Sequence, residues 1–105
     1  MKFTLKGPFA ENLYNPMRKI GYHFQEEDKE KEEFIFVRPP RGYPRFHLFV
    51  KFEKENLIFN LHLDQKRPIY KGAPAHAGEY EGEIVEKEAE RIKQVLQNAK
   101  NYGNY

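Results

Sequence analysis

The chain contains no cysteine. Disulfides, thiolate nucleophiles and cysteine-based zinc sites are therefore excluded together. Long apolar runs are missing too: the longest span about four residues, against the ~20 that a membrane-crossing helix needs. The opening stretch Met1-Lys2-Phe3-Thr4-Leu5-Lys6 has no apolar segment of signal-peptide length. These absences predict a cytoplasmic protein without a membrane partner. A strong net charge is also lacking, the formal value being only +2, so any electrostatic preference must lie in the local distribution of charge.

What is present suits one folded domain. A chain of 105 residues is long enough for a single core and too short for two. The domain is expected over residues 1–100, with 101–105 as a frayed tail. Nine Phe and seven Tyr supply core volume, while 32% charged residues and a mean hydropathy of -0.90 keep the surface in water. The abundance of Lys and Glu has a thermophile character. Between Arg38 and Lys71 eight basic residues stand against three acidic ones, whereas the stretch from Glu26 to Glu33 holds six acids and two lysines, and that from Glu79 to Glu90 six acids and one lysine. Acidic runs of this kind are ordinarily solvated loop and helix faces.

The most informative segment is Tyr43 to Asp64, YPRFHLFVKFEKENLIFNLHLD. Apolar and polar residues alternate on both sides of Glu53-Lys54-Glu55, which is the period of strands. A two-residue turn at Lys54-Glu55 pairs Phe52 with Leu57, Val50 with Phe59, Leu48 with Leu61 and Phe46 with Leu63 on one face. The other face then pairs Arg45 with Asp64, His47 with His62, Phe49 with Asn60 and Lys51 with Ile58. A slip of one residue would mix the faces, so the pattern fixes the parity. Lys-Glu is a poor primed-turn pair, which leaves room for a longer loop of the same parity.

The flanking segments complete the layout. Lys2 to Lys6 reads as a short strand with Phe3 and Leu5 inward, stopped by Gly7-Pro8. Asn12 or Asn15 can cap a short helix that turns Leu13, Met17 and Ile20 inward and ends at Gly21. Tyr22-His23-Phe24-Gln25 reads as a second strand and Glu26 to Glu33 as a solvated hairpin loop. Phe34-Ile35-Phe36-Val37-Arg38 resumes as a strand with bulky residues on both faces, closed by Pro39-Pro40. A connection of about eighteen residues follows Asp64, long enough to bind or cover something. A helix from about Gly82 to Lys100 then repeats Val85, Ala89, Ile92, Leu96 and Ala99 at helical spacing, with glutamates early and Arg91, Lys93 and Lys100 late.

The class is α+β: an antiparallel sheet of four or five strands with two helices packed on one face, in β-α-β-β-β-β-α order, leaving the opposite face open. That order resembles one repeat of the TATA-box-binding-protein fold, in which the sheet's free face lies on DNA; the resemblance covers topology over most of the chain. A weaker likeness is to the small double-stranded-RNA-binding-like domains of HicA toxins, which carry a catalytic histidine on a short sheet. Their Gly-Ser-His signature is replaced here by Arg45-Phe46-His47.

Two constellations can carry chemistry. His47 and His62, with Asp64 on the same face, form a candidate set for zinc or another divalent metal, or an acid–base pair for a phosphodiester. His76 in the long connection is a third candidate catalytic histidine. The competing arrangement is ordinary: Asp64 as the salt-bridge partner of Arg45 on a wet sheet. The His-x-Thr/Ser motifs of 2H phosphoesterases, the RNP motifs of an RRM and a Walker loop are all missing. The second constellation is the open face as a surface, where Arg45, Phe49, Lys51 and Asn60, joined by Lys66 and Arg67, interleave rings with cations as single-stranded DNA or RNA binding requires. The expectation is a binding domain rather than an enzyme, needing no cofactor unless the histidines hold a metal. A homodimer through the open face is the other partner such an apolar patch suits.

Overall fold

A computed structural model describes residues 1–9, 12–65, 78–79 and 82–102. The elements are β1 (Lys2–Leu5), α1 (Tyr14–Lys19), β2 (His23–Asp28), β3 (Glu33–Arg38), β4 (Arg45–Glu53), β5 (Asn56–Asp64), β6 (Gly78–Glu79) and α2 (Glu83–Tyr102). The sheet is antiparallel in the order β1-β5-β4-β3-β2, and the two-residue β6 adds to β5 at Leu63 and Asp64. The class is α+β. No helix among the described residues is long and apolar enough to cross a membrane.

The β4–β5 hairpin has the register expected from its alternation, from Arg45 opposite Asp64 to Glu53 opposite Asn56. The loop is the two-residue Lys54-Glu55, and Lys54 takes a φ of 58°. A longer loop is unnecessary because the turn is clamped from outside. The Gly7 N–H donates to Asn56 Oδ1 at 2.7 Å and the Phe9 N–H to the Glu55 carbonyl at 3.3 Å. A Cβ at Gly7 would come within 2.0 Å of that carbonyl oxygen, so only glycine permits the approach.

One face of the sheet is the core face. Leu48, Val50, Phe59 and Leu61 are fully buried there, with Leu5, Leu57 and Leu63 nearly so and Phe3, Phe46 and Phe52 at the margin. From α2, Val85, Ala89, Ile92 and Leu96 pack onto this face, and from α1 and its flanks Leu13, Met17 and Ile20. The side chain of Ala99 lies outside the described residues. Burying each large side chain of this set contributes about 1.5 to 3 kcal/mol, which holds α1 although six residues are too few for a stable isolated helix. Its C-terminus closes as expected at Gly21 (φ 90°), with Gly21 N–H donating to Arg18 O and Tyr22 N–H to Met17 O.

Three local expectations are corrected. The cap position of α1 is Leu13 rather than Asn12 or Asn15; Asn12 stands one residue earlier and its Oδ1 accepts the Tyr14 N–H at 3.0 Å, while Asn15 lies inside the helix. The second strand begins after Tyr22 and runs on to Asp28, so Glu26, Glu27 and Asp28 pair with Ile35, Phe34 and Glu33 instead of forming a loop. Gln25 is the extra residue of a bulge between Phe24 and Glu26. An edge strand keeps its side chains in water, so acids there satisfy the ladder at no desolvation cost and discourage edge-to-edge pairing. Helix α2 ends at Tyr102, two residues beyond the expected Lys100.

Candidate metal centre on the open sheet face

Strands β4 and β5 are the two longest of the sheet and lie at its middle. Their odd-numbered β4 residues and even-numbered β5 residues point away from both helices, which brings Arg45, His47, Phe49, Lys51, Asn60, His62 and Asp64 onto one face as the alternation requires. Lys66, Arg67 and His76 lie outside the described residues. The same row continues sideways from His47 to Val37 and His23. Val37 is buried although it belongs to the open face, and it flanks His47.

The two imidazoles stack, with centroids 5.0 Å apart and planes 26° off parallel, and Phe49 completes a triangle of rings at 5.6 Å from His62 and 6.2 Å from His47. Asp64 meets both histidines. One carboxylate oxygen touches His47 Nδ1, and the other lies 3.1 Å from His62 Nε2. The buried His47 Nδ1 has this ion-pair contact and no hydrogen-bond partner.

Burial pushes the His62 imidazole below its usual range, with the His47 and N-terminal charges adding to the effect while Asp64 opposes it. A neutral ring is the form that offers a lone pair to a metal. One donor atom from each of His47, His62 and Asp64 falls within 4.8 Å of the others. Two imidazoles and a carboxylate are the borderline donor set that zinc and similar divalent ions accept, and three protein ligands leave coordination positions open. The side chains are 14%, 12% and 25% exposed, so the group is sheltered yet reachable.

The expected Arg45–Asp64 salt bridge does not form among the described residues, because the histidines occupy both carboxylate oxygens. Arg45 instead lies over the ring of Tyr43, 4.8 Å from its centroid, and its buried Nε has no hydrogen-bond partner. Tyr43, not among the expected site residues, lies two residues before Arg45 and outside β4. Beside this group, a cleft of about 240 Å3 is lined by Phe49, Lys51, Ile58, Asn60 and neighbouring charged residues. A larger cleft of about 460 Å3 lies elsewhere, at Tyr14, Arg18, Tyr22, His23, Phe24 and Phe36. Among the described residues it brings together no set of metal donors, so its size does not make it the chemical centre.

A second polar cluster is structural. Glu88 lies on the apolar side of α2, 5% exposed, and accepts from Tyr22 Oη at 2.7 Å, from Arg91 Nε and Nη2 at 2.8 Å, and from Arg38 Nε and Nη2 at 3.3 Å. Arg91 also donates to the Ile20 carbonyl at 2.6 Å. Burial alone would push the Glu88 carboxyl up, but the bonds from Arg91 and Tyr22 and the charges of Arg38 and Arg91 outweigh it and hold the carboxyl below its ordinary range. Burial and the Glu88 charge push the Tyr22 hydroxyl up. The cluster ties α2 to the end of α1 and to β3.

Comparison of the chain with protein-family models, with curated proteins and with solved structures finds no match.

Proposed function

We propose that this protein holds a divalent cation of the zinc class on its open sheet face, through His47, His62 and Asp64, as a centre with positions left for water or substrate. The observation that carries this is the convergence of three donors within 4.8 Å, in which His47 Nδ1 is buried without a hydrogen bond. In such a centre a bound ion polarises a coordinated water or substrate oxygen. His47 and His62 serve as neutral ligands from adjacent strands, and Asp64 supplies the only carboxylate of the set. Val37 and Phe49 flank the rings and limit their rotation. The test is metal analysis of purified protein after zinc loading and desalting. About one equivalent per chain is expected, with less than stoichiometric metal in His47→Ala and His62→Ala. Zinc at a hundredfold over its Kd should also stabilise the fold by about 2.7 kcal/mol. Absence of bound zinc in the wild type, or full retention in both variants, refutes the reading.

A second reading is single-strand nucleic-acid binding by the same face. It is favoured by Arg45, Phe49, Lys51 and Asn60 standing together there, with Phe49 lining the cleft, and by the analogy of element order with a TATA-box-binding-protein repeat. Binding to a short RNA that weakens steeply with added salt supports it; no binding at low salt removes it.

A further inference from the structure

The position of Arg45 extends the metal reading, on which the following rests. Register sets Arg45 directly opposite Asp64, on the face that carries both histidines. Its natural counter-ion is engaged elsewhere, and its guanidinium packs on Tyr43 with Nε buried and unpartnered. Guanidinium is charged at every accessible pH, and its planar fork matches two oxygens of an oxyanion. A divalent ion held by one carboxylate and two neutral imidazoles keeps one positive charge, and Arg45 adds a second. A phosphate monoester dianion balances that pair of charges, with one oxygen for the metal and two for the fork. A carboxylate leaves one charge unanswered.

Phe49 defines what the phosphate is attached to. Its ring lies beside both imidazoles, 6.2 Å from His47 and 5.6 Å from His62, and also lines the 240 Å3 cleft with Lys51, Ile58 and Asn60. Phe49 follows His47 by two strand residues, a rise of about 7 Å, comparable to the separation of phosphate and base in one nucleotide. A planar base can lie against the Phe49 ring from the cleft, and exposed Asn60, the cross-strand partner of Phe49, offers a donor and an acceptor to its edge. We propose that the metal centre and Arg45 together bind the terminal phosphate of a nucleotide whose base stacks on Phe49.

Such a phosphate comes from a free mononucleotide or from the phosphorylated end of a single strand. Calorimetric titration of the zinc-loaded full chain separates these sources. The probes are adenosine 5′-monophosphate, adenosine, inorganic phosphate, and a short oligoadenylate with and without a 5′-phosphate. Binding of the monophosphate with no detectable binding of adenosine is expected, and Arg45→Met should weaken the monophosphate by about tenfold or more. Arg45→Lys, which keeps the charge and loses the fork, should fall between. Phe49→Ala should remove a preference of about tenfold to a hundredfold for monophosphate over inorganic phosphate. Tighter binding of the phosphorylated oligomer than of the monophosphate assigns the strand end, and the reverse assigns the free nucleotide. Zinc content is measured on every sample. Zinc bound without any phosphate affinity, or monophosphate affinity unchanged in both Arg45 variants, overturns this inference and leaves the metal reading standing. A wild type that takes up no zinc removes both.

Discussion

Replacing Glu88 by glutamine tests whether the buried carboxylate fixes α2 in place. The variant keeps the shape of the side chain and removes its charge. Five hydrogen bonds converge on the carboxylate, one from Tyr22 and two each from Arg38 and Arg91. Both arginines span the two carboxylate oxygens, so whichever oxygen becomes NH2 takes one acceptor from each arginine, and Tyr22 loses its acceptor too if that oxygen is Oε2. Breaking a fully buried ion pair costs about 3 to 5 kcal/mol. Arg38 and Arg91 are 39% and 37% exposed, so water takes over much of their solvation and the expected loss is smaller, roughly 2 kcal/mol. For a domain of this size that lowers Tm by roughly 10 °C.

The pH dependence distinguishes a charge effect from a packing defect. The folded-state carboxyl of Glu88 titrates below its ordinary 4.5. Protons therefore bind the unfolded state first as pH falls, and the stabilisation, complete above about pH 4.5, is lost as pH drops through the folded value. Thermal melts of wild type and Glu88→Gln should differ most near pH 7 and converge towards pH 3. A gap of the same size at both pH values, or no gap at pH 7, refutes the argument. Tyr22→Phe should cost less, about 1 to 2 kcal/mol, because the carboxylate keeps its four arginine bonds.

Two further substitutions probe the sheet. Phe59 is fully buried and stacks on Phe3 at 5.0 Å, so Phe59→Ala should cost about 3 to 5 kcal/mol, whereas Phe49→Ala on the other face should reduce stability far less; equal losses in urea melts would contradict the assignment of faces, and a change in elution on a sizing column for Phe49→Ala alone would point to a dimer contact there. Lys54→Gly should stabilise the fold by roughly 0.5 to 1 kcal/mol, because φ of 58° suits glycine, and a lower urea midpoint would count against the two-residue turn.

The hairpin was legible because one parity puts all eight residues Phe46, Leu48, Val50, Phe52, Leu57, Phe59, Leu61 and Leu63 on one face, leaving only Phe49 and Ile58 as apolar residues of the paired positions on the other. The acidic end of β2 was not, since the alternation that reveals a half-buried strand disappears on an edge where every residue from His23 to Glu27 is exposed. Glu88 was legible in principle: it falls three residues after Val85 and four before Ile92, inside the apolar stripe of α2, and an acid at such a position needs partners from outside the helix. Counting apolar residues alone passes over it. Period and register gave the adjacency of His47, His62, Arg45 and Asp64. Which side chain Asp64 meets depends on reach, and there the short, stacked imidazoles displace the longer guanidinium, which lies against Tyr43.

The division of the sheet into a packed face and an open one explains why the site lies where it does. Leu48, Val50, Phe59 and Leu61 alternate along β4 and β5 with the site residues and are all fully buried, so the backbone that carries His47 and His62 is fixed from behind by the core. β3 pairs along the His47 side of the hairpin, and β1 and β6 pair with β5 on either side of His62. A metal centre gains from ligands whose backbones cannot shift, because a displacement of about 1 Å spoils coordination. The edge strand β2, with a bulge and an acidic surface, could not offer that rigidity. The Glu88 cluster fastens α2 on the opposite face of the sheet, so the interactions that secure the helices and those proposed to bind metal and phosphate draw on different side chains of the same strands and can be perturbed separately.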